Sequence, residues 1–178
     1  MKRKALSWVA IPSLALLLFS SSGCDKDDDN PAPAGDIYNI NATMSSANEV
    51  PQNSSTGSGT ATGTYNATNN MLSYNISWTG LTGTATVGHF HSPALAGANA
   101  SPLIHFNLVN NGSAGTATGV ATLTEAQEAD LLAGKFYSNI HTAANTGGEI
   151  RGQIVPVPEP TGLALIALGA IPMLRRRR

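Results

Sequence analysis

The sequence is poor in cysteine and, through its middle, in basic residues, and each shortage excludes a class of protein. Its single cysteine, Cys24, cannot form an internal disulfide, so the fold has to be stable without one. Between residues 36 and 155 the only basic side chains are Lys135 and Arg151, against six acidic ones, a net charge near −4 with histidine neutral. This balance excludes the basic surface that nucleic-acid-binding proteins need.

Motifs of nucleophilic and phosphate-binding enzymes are also missing. The sequence has no Gly-x-Ser-x-Gly elbow and no glycine-rich loop followed by lysine. Glu49 is a candidate carboxylate, but a lone carboxylate is more typical of a turn or cap partner than of a general acid. The sequence therefore favours a protein that is not an enzyme and leaves the question of activity open.

The N-terminal residues have the features of an export signal. Basic residues 2–4, an apolar run over 5–19 and small residues up to Cys24 predict a signal peptide over residues 1–23, because the run is short for a membrane span. Its junction with Cys24 resembles the bacterial lipobox, which implies lipidation of Cys24 by the lipoprotein-processing machinery. Ser21 stands where a lipobox usually has leucine, and the alternative is ordinary signal-peptidase cleavage near Gly23. Residues 24–35, acidic and then rich in Pro and Ala, predict a solvated tether.

The C-terminal residues 156–178 have the features of a second targeting signal. Pro158, Glu159 and Pro160 precede an apolar stretch over 161–174 and four terminal arginines. This arrangement resembles the PEP-CTERM sorting signal, which implies an exosortase-like partner and at least transient membrane anchoring. The stretch is short for a span, and a plain C-terminal anchor is the alternative; in either case the terminal arginines favour the cytoplasmic side. Together the two ends predict an exported protein of the cell envelope or cell surface.

The residues between these signals, 36–155, have the pattern of one all-β domain. Short alternating segments recur at 37–44, 57–66, 71–79, 84–92, 103–109 and 116–123. Thr124 and Gln127 fit a capping box that opens one short helix, which ends at Gly134. The pattern predicts an antiparallel β-sandwich with one short helix, either immunoglobulin-like or a superoxide-dismutase-like Greek key.

Residues 135–154 predict a hairpin with one polar face. Alternation places Tyr137, Asn139 and His141 on one face of its first arm, and Glu149 and Arg151 on one face of the second. Because His141, Glu149 and Arg151 have complementary charge and hydrogen-bonding capacity, we expect them to form one buried polar cluster that fixes the hairpin.

Histidines supply the candidate metal ligands. His89 and His91 lie at i and i+2 of a predicted strand, so both imidazoles point to the same side. With His141 they predict a Zn or Cu site, since imidazole suits both metals, and His105 lies on the strand that follows. The alternative is a hydrogen-bonded structural network in which Glu149 accepts from a histidine and pairs with Arg151.

Three segments, 47–51, 85–97 and 137–152, together resemble the chordin-type (CHRD) domain. They include Ala47-Asn-Glu-Val-Pro51, His89-Phe-His91 and Gly148-Glu-Ile-Arg-Gly152. Phe90 stands where the family more often has isoleucine. In animals the domain occurs in chordin, an extracellular antagonist of growth factors, and bacterial members are secreted or surface proteins. The resemblance implies a binding or structural module with an extracellular ligand that the sequence does not name. A Zn or Cu protein or metalloenzyme using His89, His91 and His141 is the alternative.

Overall fold

A computed structural model of the chain describes residues 37–109 and 112–159. The predicted signal peptide, Cys24, the tether, Pro160 and the apolar C-terminal stretch lie outside the described residues. Within them, none of the helices has the length and apolar character needed to cross a membrane.

The described residues form ten strands, one α-helix and one short 3-10 helix. The strands are β1 Ile37–Ser45, β2 Ser58–Asn66, β3 Met71–Thr79, β4 Ala85–His91, β5 Pro102–His105, β6 Leu108–Val109, β7 Gly115–Thr122, β8 Tyr137–Thr142, β9 Ile150–Gln153 and β10 Val155–Pro158. The helix α1 is Glu125–Leu132, and the 3-10 helix is Ser46–Asn48. The predicted all-β architecture with a single short α-helix is confirmed.

Antiparallel ladders connect nine strands in the order β5-β4-β8-β9-β1-β2-β3-β7-β6, and β10 pairs with β1. The predicted strand over 103–109 is in fact two strands, because Phe106 turns into the core and breaks it. β5 and β6 stand at opposite ends of the ladder order, yet only residues 106 and 107 separate them in the chain. The sheet therefore curls until its two ends meet.

The core lies inside this curl. Tyr74 on β3 contacts Phe90 on β4 and Phe106 beyond β5, with ring centroids 5.2 and 5.4 Å apart. Because β3 and β4 lie far apart in the ladder order, these contacts pack one half of the sheet against the other, as in a sandwich. Buried Ile, Leu and aromatic side chains continue the same core.

The helix α1 begins as the sequence predicts. Thr124 accepts from the backbone N–H of Gln127, and the Gln127 side chain accepts from the backbone N–H of Thr124, which is a complete capping box. Leu131 is buried in the core, whereas Leu132 stays partly exposed. The helix thus contributes one of its two leucines to the core.

Candidate metal centre

The polar face of the hairpin β8–β9 is the base of the site. Asn139 pairs with Arg151, and Ile140 with Ile150, so the predicted alternation along β8 holds. The neighbouring strand β4 places His89 beside Asn139 and His91 beside Tyr137. The pairing of these strands therefore brings His89 and His91 to the same face as His141.

These three histidines form a compact buried group. Each offers one ring nitrogen, and the three nitrogens all lie within 4.8 Å of one another. The ring of His89 lies between the other two, at centroid distances of 5.2 Å from His91 and 5.0 Å from His141. All three side chains are buried, with at most 8% of their surface exposed. Thus the structure brings together the three residues that the sequence suggested as ligands.

Backbone carbonyls orient two of the rings. Nδ1 of His91 lies 2.9 Å from the carbonyl oxygen of Ala100, and Nδ1 of His141 lies 2.9 Å from that of Thr146. A carbonyl can only accept, so Nδ1 donates in both rings and each neutral imidazole keeps an unprotonated Nε2. Both Nε2 atoms, and Nδ1 of His89, are buried and have no hydrogen-bond partner in the protein. A carbonyl that holds Nδ1–H is the usual support of a metal-ligating histidine.

Burial keeps the three imidazoles neutral. Burial, with the neighbouring His141 and His91, lowers the pKa of His89 to about 4. Burial also lowers the pKa of His91 and of His141, each against the opposing effect of its carbonyl hydrogen bond. Neutral imidazole is the form that binds metal, so at neutral pH these histidines need not lose a proton first.

The ligand set suits a transition metal. Nitrogens bonded to one tetrahedral zinc at 2.0–2.1 Å lie about 3.3 Å apart, so the rings have to converge slightly from their present positions. Among the described residues no carboxylate or thiolate joins the group. His105 packs its ring 4.5 Å from that of His89, but it is exposed and does not belong to the group. Three imidazoles leave a coordination position open.

Residues 40–154 match the family profile of the CHRD domain. The chain belongs to the CHRD domain family. The matched span contains the three histidines together with Glu49, Glu149 and Arg151. No curated protein and no solved structure matches the chain.

Arg151 of the CHRD domain is almost fully buried beside this centre. Its guanidinium donates to the carbonyl of Ala98 at 2.7 Å and to Oδ1 of Asn99 at 3.1 Å. The guanidinium carbon lies 3.4 Å from the ring centroid of Tyr137, whose ring stacks on His91 at 4.6 Å. Tyr137 also accepts from the N–H of Ala100. Arg151 and Tyr137 thereby fix the loop whose Ala100 carbonyl orients His91.

The predicted buried polar cluster of His141, Glu149 and Arg151 is wrong, because Glu149 pairs with neither of the other two residues. Its carboxylate accepts from the Ser55 hydroxyl, from the N–H and hydroxyl of Thr82, from the Thr142 hydroxyl and from Nδ2 of Asn145. Glu149 precedes β9, which begins at Ile150, so strand alternation does not extend to it. Burial on its own raises the pKa of Glu149, but these hydrogen bonds outweigh burial and lower it to about 2.

Glu49, rather than Glu149, is the carboxylate that lies beside Asn139 and near Arg151. It follows the 3-10 helix, is 5% exposed, and accepts from Nδ2 of Asn139 at 3.2 Å. Burial raises its pKa to about 7, although the nearby Arg151 and the bond from Asn139 act in the opposite direction. The sequence marked Glu49 as a candidate but gave no sign of this partner, nor of the contact between Arg151 and residues 98 and 99, because all these pairs are distant in the chain.

Proposed function

We propose that the protein is an exported, envelope-associated binding module whose CHRD domain holds a zinc or copper ion through His89, His91 and His141. The CHRD domain itself suggests a binding or structural module. One observation carries the metal proposal: three ring nitrogens are buried, close together and without hydrogen-bond partners. A purely structural network would pair such atoms, since burying an unpaired polar atom costs about 1–3 kcal/mol.

The chemistry of the ligands narrows the metal. Calcium and magnesium prefer oxygen ligands, whereas imidazole suits zinc and copper. Affinity at a given nitrogen site is normally higher for Cu²⁺ than for Zn²⁺. We therefore expect copper to displace zinc in a direct competition. The proposal concerns binding and assigns no reaction.

Export and envelope attachment rest on the two terminal segments of the sequence. The apolar run before Cys24 supports lipidation by the lipoprotein-processing machinery, and Pro158-Glu159-Pro160 supports recognition by an exosortase-like enzyme. Of the second motif, Pro158 ends β10 opposite Tyr38, and the N–H of Glu159 donates to the carbonyl of Ile37. Both residues are exposed, as recognition by a second protein requires.

The decisive experiment is metal titration of the protein purified without a polyhistidine tag. We expect one equivalent of Zn²⁺ or Cu²⁺ by calorimetry and elemental analysis, and a rise in the midpoint of thermal unfolding. At a free metal concentration of 100 Kd, the stabilisation is about 2.7 kcal/mol. His141→Ala and His91→Ala should each weaken binding at least tenfold.

The matched control is His105→Ala, because His105 touches His89 but lies outside the ligand group. Its affinity should stay within a factor of two of the unsubstituted protein. Equal losses from His105→Ala and His141→Ala, or no retained metal after dialysis, would overturn the proposal. Near-ultraviolet circular dichroism of each variant shows whether the fold is kept.

A further inference from the structure

Four adjacent strands, β1, β2, β3 and β7, contain no Asp, Glu, Lys, Arg or His at any position. Their inward side chains build the core, and their outward side chains are short and polar except for Ile37, Met71 and Val120 near the strand ends. We call the outward side chains of these four strands the neutral face. An uncharged surface of this extent excludes partners that are recognised through charge, such as nucleic acids and anionic membranes.

Strand register arranges the neutral face in rows. Asn41, Thr62, Asn75 and Thr118 are mutually opposite across the four strands and all exposed. Each such row crosses strands about 4.8 Å apart, and the next row lies about 6.7 Å along them. Hydroxyl and amide groups that both donate and accept therefore repeat in two dimensions.

The next row, Thr43, Thr60, Ser77 and Thr116, consists entirely of hydroxyl side chains. Two shallow depressions, of about 670 and 430 Å³, lie on the face. Trp78 lines the first and Tyr74 the second, and glycines lie beside both aromatic residues on the neighbouring strands. Both aromatic side chains are buried on the core side of the sheet, and a Cβ at Gly119 would clash with the Tyr74 hydroxyl, so these glycines make room for the aromatic rings.

Apolar residues surround this polar centre. Of the eight exposed large hydrophobic residues among those described, six lie at the edges of the neutral face or on the strands beside it: Ile37, Met71, Val109, Val120, Val155 and Val157. Val155 and Val157 lie on β10 opposite residues of β1, and Val109 on β6 opposite Thr116 of β7. A protein–protein interface has the reverse arrangement, with an apolar centre and a polar rim.

We propose that the neutral face binds a neutral polysaccharide chain. Sugar hydroxyls need partners that donate and accept without charge, and Thr, Ser and Asn side chains supply both functions. The methyl groups of Thr and Val fit the C–H surfaces of the sugar rings, and the repeat of the rows fits a polymer better than a single small ligand. This inference is independent of the metal proposal, because the histidines belong to β4 and β8.

The test is retention of the full-length protein on insoluble neutral polysaccharides, with microcrystalline cellulose, insoluble mannan and insoluble starch as the probes. Carboxymethyl cellulose is the anionic comparison. We expect retention on at least one neutral polymer. Thr62→Lys at the centre of the face and Val120→Lys at its border should each lower the bound fraction at least fivefold.

Leu95→Lys is the matched control, because Leu95 and Val120 are both 60% exposed and only Val120 belongs to the face. This variant should bind like the unsubstituted protein. No retention on any of the neutral polymers, or equal loss from Leu95→Lys, would overturn the proposal. The proposal would also be overturned if light scattering showed a dimer that Thr62→Lys dissociates. The neutral face would then be an interface between two copies of the chain.

Discussion

The guanidinium carbon of Arg151 lies 3.4 Å from the centroid of the Tyr137 ring, which itself stacks within 4° of parallel on His91. Strand β8, which carries Tyr137, lies between the strands of the other two residues, so the tyrosine ring separates the cation from the imidazole. A fully charged side chain is thereby accommodated beside the candidate metal centre without an ion pair. Its partners are the Ala98 carbonyl, the Asn99 side chain and an aromatic face.

Arg151→Ala should destabilise the domain by about 3–5 kcal/mol. The change removes two hydrogen bonds from a charged donor, worth about 1.5–3 kcal/mol each, and a cation–π contact worth about 0.5–2 kcal/mol. Arg151→Lys should recover only part of this, because an ammonium cannot reproduce the planar guanidinium. Urea denaturation measures both variants.

Lys135→Ala is the control for that prediction. Lys135 pairs with Asp130 at 3.0 Å, but its side chain is 43% exposed, and such pairs contribute about 0–1 kcal/mol. If Arg151→Ala cost no more stability than Lys135→Ala, the buried contacts of Arg151 would contribute no more than an exposed ion pair does.

The two buried glutamates should have opposite effects on stability as pH changes. The pKa of Glu49 is raised to about 7 in the folded state from 4.5, so its contribution is fully present below about pH 4.5 and is lost as pH rises through 7. The pKa of Glu149 is lowered to about 2, so its contribution is present above about pH 4.5 and is lost as pH falls towards 2.

Urea denaturation from pH 3 to 8 tests this contrast. Glu49→Gln should flatten the loss of stability between pH 5 and 8. Glu149→Gln should lower the free energy of unfolding at pH 7, because a neutral amide cannot replace a carboxylate that accepts five hydrogen bonds. The same change should reduce the loss of stability that occurs as pH falls below about 4.5. The contrast between the two glutamates is refuted if both variants change the free energy of unfolding over the same pH range.

Gly148→Ala should destabilise the hairpin loop, whereas Gly147→Ala should not. Gly148 has φ of +131°, and a Cβ there would lie 2.5–2.7 Å from the Asn139 side chain and from Oε1 of Glu49. Backbone strain of this kind costs about 1–3 kcal/mol, and the contacts add to it. At Gly147 a Cβ has no neighbour within 4 Å, so the change should stay within about 0.5 kcal/mol. Thermal unfolding of the two variants gives the comparison; equal midpoints would contradict it.

Cys24→Ala should abolish incorporation of labelled fatty acid and move the protein towards the soluble fraction. The thiol is the acylated group in a lipoprotein, and this chain has no other cysteine. Labelling that survives the substitution would rule out lipidation at Cys24.

Deletion of residues 158–160 should leave the C-terminal stretch attached. If an exosortase-like enzyme recognises Pro158-Glu159-Pro160, the deleted protein keeps a larger mass than the processed form. Mass spectrometry of membrane fractions measures the difference. Identical processing of both proteins would contradict recognition of the motif.

Local pattern was sufficient for most of the fold. Period-two alternation located the strands other than β10, because side chains on a strand point to opposite faces in turn. β10, Val155–Pro158, extends the sheet into the residues assigned to the C-terminal signal, where no alternation predicted a strand. The capping box located α1, since both of its hydrogen bonds join residues three apart. The same alternation put Tyr137, Asn139 and His141 on one face. It failed at Glu149, one residue beyond the strand, and at residues 103–109, where it could not show that Phe106 leaves the strand for the core.

Partners distant in the chain were decided only by the tertiary structure. Glu149 meets Ser55 and Thr82, which are 94 and 67 residues away, and Arg151 meets Ala98 and Asn99, 53 and 52 residues away. The sequence by itself determined which residue types could bind a metal and that His89 and His91 share a face. It could not determine that His141 joins them, because that depends on β4 pairing with β8, and strand pairing is set by how the whole sheet curls around its core rather than by residue spacing.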